Sequence, residues 1–280
     1  MNKILLKFAY KLKKKMNKYI LIFLCTSLLF SCTKKEGCTD PVAINFDINA
    51  SLDDGSCDYN NFNINLHFTQ SIESVALIRD SLKYLNHSNI HYSVQTLRYI
   101  ISEIKLHKED GTSKLIDSVQ FINIADESTK KVTISDVSDL EYSSISFTVG
   151  LNDSYNVTNL FLNESFFPSF TWPEMLGGGY HYMQLEGEFQ ADLANGNPSF
   201  YNTHTGPTSG TDFSFNKTFP IELYVINNQT DIYIDMEITN WYKNPELINY
   251  SSDGIMGNSS LQSKLKENGE NDVFSVYSSE

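Results

Sequence analysis

Six histidines are spread along the 280 residues, and three of them stand where imidazoles from separate segments can meet. His67 lies in an alternating polar and apolar run, His181 follows three glycines, and His204 sits between two threonines ahead of a glycine. Neutral imidazole suits Cu(I), Cu(II) and Zn(II), so two or three such rings make an ordinary transition-metal site. The competing reading for His67 and His181 is a half-buried ring bonded to a neighbour. His204 reads as a turn residue whose small neighbours leave a ligand room. Glu186 is placed to orient a histidine ring, or else to pair with a surface lysine. His87, His91 and His107 lie near turns or polar segments and read as solvated. Neither HExxH nor HxH spacing occurs, so the local zinc-hydrolase motif is absent. Gly177 to Gly179 has no following helix or lysine to hold phosphate, and backbone freedom ahead of a strand accounts for it. With no nucleophile, base and orienter to assemble, and no carboxylate pair to place, an enzyme is not expected.

A second group of donors lies near the N-terminus, where Asp47, Asn49, Asp53 and Asp54 set hard oxygens at the short spacings that calcium loops use. The alternative is a set of Asx turns in which each side chain bonds its own backbone. Of the four cysteines, Cys25 falls within an apolar run and Cys32 closes it, which leaves Cys38 and Cys57 as a pair. In an oxidising compartment they are expected to bond, closing a loop too poor in apolar residues to fold by burial. The stretch from Gly37 to Cys57 resembles a short module of secreted Bacteroidetes proteins, with the pattern GCTDP, Asn45-Phe46-Asp47, Asn49-Ala50 and DDGSC.

These residues need an export route and a scaffold. Lys11, Lys13, Lys14, Lys15 and Lys18 precede an uncharged run from Tyr19 to Phe30 that is too short to span a bilayer. It ends at Leu29-Phe30-Ser31-Cys32, which resembles a bacterial lipobox. The resemblance implies that Cys32 receives the lipid and becomes the mature N-terminus, with residues 1–31 as signal peptide. Met16 would open a signal peptide of more usual length. Thr33 carries no inner-membrane retention signal of the aspartate type, so the outer membrane is the expected destination, on its periplasmic side or its surface. Seven of the 21 basic residues precede Cys32 and all 34 acidic ones follow it, giving the mature chain a formal charge of −20. Nucleic acid, which needs a basic face, is excluded as a partner.

Residues 32–61 then form the lipidated tether and cysteine module, and residues 62–280 are long enough for one sizeable core. Asn63 to Phe68, Ile145 to Val149, Tyr180 to Phe189, Phe219 to Ile226 and Thr230 to Ile238 alternate with the two-residue period of half-buried strands. Tyr99 to His107, the turn sequence Glu109-Asp110-Gly111-Thr112 and Leu115 to Ile124 read as a hairpin, and Asn227-Asn228-Gln229 as a hairpin turn. Ser74 to Leu82 fits helix or strand equally. Beyond Pro245 the chain reads as polar and rich in Ser, Asn and Gly, with a helix over Ser259 to Lys266 and then a loosely packed tail. With no βαβ rhythm, the fold class is all-β, an antiparallel β-sandwich beside a small disulfide-stapled module.

Three segments of this domain together resemble the MbnP-like family of envelope copper-binding proteins. They are Tyr92 to Leu106 followed by Asp110-Gly111, Trp172 to Gly187 with its GGGYHYMQLEG, and Tyr201 to Gly206. The resemblance implies a β-sandwich binding copper through histidines, here His67, His181 and His204. It implies a tryptophan beside the metal, here Trp172, which in methanotroph relatives is oxidised by a dihaem partner enzyme. A dihaem, peroxidase-like enzyme or an outer-membrane transporter is the partner this suggests. Two functions remain open at this point. One is a lipoprotein that takes up, stores or hands over copper. The other is a surface module that binds glycan or protein through aromatics such as Tyr155, Trp172 and Trp241.

Overall fold

Strand alternation dictates two sheets whose apolar faces must be covered, and the computed structural model shows them stacked on one core. It describes residues 34–41, 43–137, 141–194, 196–250 and 254–279; the expected signal peptide and the expected lipidation site, Cys32, lie outside them. The chain divides between Asn60 and Asn61 into two units.

In the first unit, β1 (Glu36–Gly37) pairs in parallel with β2 (Leu52–Asp53), and Cys38 is bonded to Cys57. The oxygens considered for calcium are engaged in turns. Asp47 accepts from the Asn49 backbone and pairs with Lys35, Asp53 accepts from the Gly55 N–H, and Asp54 from that of Ser56.

The second unit contains β3 (Phe62–Ile72), β4 (Val75–Ala76), β5 (Tyr84–Leu85), β6 (His91–Tyr92), β7 (Thr96–Lys108), β8 (Ser113–Asn123), β9 (Lys131–Val137) and β10 (Tyr142–Val149). A single helical turn, α1 (Phe167–Phe170), leads to β11 (Met183–Gln190), β12 (Ser199–Thr205), β13 (Phe215–Pro220), β14 (Gln229–Glu237), α2 (Ser259–Asn268) and β15 (Phe274–Ser278). One sheet joins β13, β10, β7, β11, β6 and β5, with β12 on β11 and β8 on β7; the other joins β15, β14, β3 and β4, with β9 on β3. Among the described residues of this unit all strand pairings are antiparallel except that of β3 with β14, which run parallel. Ile64, Leu66 and Phe68 of β3 face Leu97, Tyr99 and Ile101 of β7 and Met183 and Leu185 of β11 in one shared core. A smaller cluster of Ile100, Phe166, Phe170, Tyr180, Tyr182 and Phe213 covers part of the outer face of the first sheet.

The β7–β8 hairpin forms as alternation predicts, with His107 opposite Ser113 across the turn. Three expectations shift. The strand expected at Phe219 to Ile226 lies instead at Phe215–Pro220, where it pairs with β10. Asn227 and Asn228 do turn the chain with positive φ, but the following strand leaves its neighbour and pairs with β3. The tail after α2 is not loose: Val273 and Phe274 are buried, and β15 adds to the second sheet.

The bridge closes a 19-residue separation and holds none of the sandwich core. Closing such a loop is worth roughly 3 kcal/mol to the module alone. Reduction should therefore make residues 34–60 protease-sensitive while the main melting transition moves by less than about 2 °C. A shift of the main transition by 10 °C on reduction would contradict this division.

Candidate metal centre

His204 and Glu186 are brought together by register. In β11 and β12, Gln184 stands opposite His204 and Glu186 opposite Asn202, so these side chains share one face of the sheet. Arg98 and Thr96 of β7 extend the same two rows on the other side of β11. His204 Nε2 bonds Glu186 Oε1 at 2.8 Å, and this bond holds the Glu186 carboxyl below its usual range. A carboxylate only accepts, so Nε2 carries the hydrogen and Nδ1 of the neutral ring keeps its lone pair. His204 is thus the penultimate residue of a strand rather than part of a turn.

His181 arrives by another route. Gly177, Gly178 and Gly179 all have positive φ, and at Gly179 a Cβ would fall 2.3 Å from Asn156 Oδ1. The Asn156 and Thr158 side chains accept from the N–H groups of Tyr180 and Gly179, which sets the chain's path. It then runs back along residues 170–172, with Trp172 N–H donating to Gly179 O and His181 N–H to Phe170 O. His181 therefore lies two residues ahead of β11 rather than within it. Its Nδ1 also donates to the Phe170 carbonyl, at 3.1 Å, and leaves Nε2 as the acceptor. Burial, then the neighbouring His204, pushes the His181 pKa down to about 4.

The two rings meet edge to face with centroids 5.0 Å apart, and Trp172 packs on His181 at 4.8 Å. Trp172 lies against Gly206, where a Cβ would fall 2.6 Å from the indole. Gln262 of α2, 1% exposed, donates to the His204 carbonyl and accepts from the Gly206 N–H. His181 Nε2 and His204 Nδ1 are both buried and find no hydrogen-bond partner among the described residues. A nitrogen about 2 Å from an ion puts its ring centre about 3 Å away, so rings 5.0 Å apart are within reach of one shared metal. Each ring thus keeps one buried, unpartnered nitrogen while its other nitrogen is tied down, by the Phe170 carbonyl for His181 and by the Glu186 carboxylate for His204.

His67 does not join them. It lies on the outward face of β3, with Nε2 2.6 Å from Asp231 Oδ1 and its ring stacked on Tyr233 at 4.8 Å. No group of three or more His, Cys, Asp or Glu placed to hold a metal occurs among the described residues. His107 bonds Ser146, His87 bonds Asn249, and His91 Nδ1 is buried rather than solvated. Trp172 and Trp241, read from sequence as exposed aromatics, are buried at 2% and 1% exposure. Gln184, Gln262 and the Phe170 carbonyl escape a reading by residue type.

Fold and site together define a β-sandwich protein with a dry histidine pair on the outer face of one sheet. The chain belongs to the MbnP family, whose model matches residues 61–258. Among solved structures it is similar to MbnP from Methylosinus trichosporium, with 14% identity and a TM-score of 0.54 over 79% of this chain and 99% of that one. At that identity the likeness is one of fold. Nothing among curated proteins matches.

With a pKa of about 4, His181 stays neutral in the folded metal-free protein while an unfolded chain protonates it below about 6.5. The unfolded state then binds the extra proton, so this ring lowers stability as pH falls from about 6.5 to about 4, and no further below that. Its ring proton shifts in NMR should stay constant between pH 7 and 5. A titration midpoint near 6.5 would show the ring is not buried as described.

Proposed function

We propose that this protein is an envelope-anchored lipoprotein that binds copper through His181 and His204 for uptake, storage or handover to a partner. The observation that carries this reading is the pair of buried, unpartnered ring nitrogens, His181 Nε2 and His204 Nδ1, on rings fixed from behind by the Phe170 carbonyl and Glu186. Imidazole accepts either copper oxidation state, and a bound ion would supply the positive charge these lone pairs lack. His181, neutral above about pH 4, offers its lone pair without first losing a proton. Glu186 sets the tautomer of His204 and adds negative charge behind it. Trp172 and Gly206 keep one side of the pair apolar and closed to water. The proposed anchor is the lipid on Cys32, which would hold the domain at the outer membrane, periplasmic or surface-exposed, within reach of a dihaem enzyme or a transporter.

Metal-free protein titrated with copper against a competing chelator should take up about one ion. His181→Ala and His204→Ala should each weaken binding more than tenfold, because each removes one nitrogen of the pair. His67→Ala and His107→Ala should leave it within twofold. No binding tighter than micromolar by the unaltered protein would remove the metal reading.

For the anchor, Cys32→Ala should abolish incorporation of labelled lipid and release the protein to the soluble fraction. Unchanged membrane association would argue against lipidation at Cys32.

A further inference from the structure

Beside the histidine pair, a third buried acceptor is left without a partner. Gln184 is 4% exposed, and its amide orientation is settled by the Ser169 carbonyl, which can only accept and takes the Nε2 hydrogen at 3.0 Å. Oε1 is thereby turned away from Ser169, and it finds no donor among the described residues. Ser169 and Phe170 are consecutive, so neighbouring carbonyls of α1 hold the N–H ends of Gln184 and His181 and leave the acceptor end of each free. Gln184 is also the cross-strand partner of His204, on the same sheet face, where paired Cβ atoms lie about 4.5–5.5 Å apart. Three buried, unpartnered acceptors thus belong to adjoining residues, with the His181 ring against that of His204 and Gln184 opposite His204 across the strands. A buried acceptor left unmet is costly, so such a set favours an occupant that brings positive charge.

We propose that Gln184 Oε1 is the third metal-binding atom of this site and biases it toward copper(II). The proposal rests on the histidine-pair reading and adds a donor to it. An amide oxygen is a hard ligand that favours divalent ions, whereas imidazole serves both copper oxidation states. The competing role for this oxygen is a hydrogen bond from Arg98, whose Nε is also buried without a partner and which flanks Gln184 on the β7 side. In that case Gln184 would be structural and contribute nothing to the metal.

The test measures copper(II) and copper(I) affinities separately by chelator competition, in the unaltered domain, Gln184→Leu and Gln184→Glu, with the copper(II) electron paramagnetic resonance spectrum of each. Gln184→Leu should weaken copper(II) binding at least tenfold and copper(I) less than threefold, with altered copper hyperfine splitting. Gln184→Glu, which keeps an oxygen there, should retain copper(II) affinity. Equal losses for both oxidation states in Gln184→Leu would mean a disturbed scaffold and overturn the proposal. Unchanged copper(II) affinity and spectrum would overturn it while leaving the histidine pair standing. Absence of copper binding in the unaltered protein would overturn both.

Discussion

The site depends on how closely residues 166–172 approach the outer face of β11 and β12, and a missing side chain sets that approach. Trp172 lies flat where any Cβ on Gly206 would be, 2.6 Å from the ring, so the indole, His181 and the carbonyls of Ser169 and Phe170 come down together. Gly206 is held in turn by Gln262 from α2, and the return path of the chain by Asn156 and Thr158. Elements distant in sequence therefore meet over a few ångströms, and each tolerates little displacement because interiors are close-packed.

Burial of this kind would be costly for a charged group and is tolerable for His181 because its imidazole is neutral. His181 has its pKa pushed down by desolvation, and its one N–H is satisfied by a backbone carbonyl. His204 has the carboxylate of Glu186 behind it, the glutamate side chain 35% exposed and the imidazole 13%. The charge of the pocket is consequently asymmetric, with an anion at one edge, the Arg98 guanidinium across β11, and unengaged lone pairs between.

Much of the scaffold is legible in the residue pattern because a strand with one wet face must alternate. Ile64, Leu66 and Phe68 against Asn63, Asn65 and His67 show both the strand and which face is buried. What pattern does not carry is pairing. The parallel partnership of β3 with β14 and the addition of β15 to the same sheet are decided by non-local packing. The same limit governs the site. Histidine type and the glycine before a strand single out His181 and His204, but His67 shares both residue type and alternation and still belongs to the other sheet. Gln184 becomes visible only once the register places it opposite His204, since nothing local distinguishes it from a surface glutamine. The two tryptophans likewise look like exposed binding aromatics until the glycines and helix that bury them are in place.

A division of electrostatic labour follows. The acidic excess of the chain lies outside the pocket and acts over the range of the Debye length, raising the local concentration of any cation without choosing among them. On the proposed reading, choice would be made where water is excluded, by the number and hardness of the buried lone pairs. The outer field would govern how fast cations arrive, and the seam between α1, β11 and β12 which of them stay, because there desolvation of the ion would be matched by fixed donors.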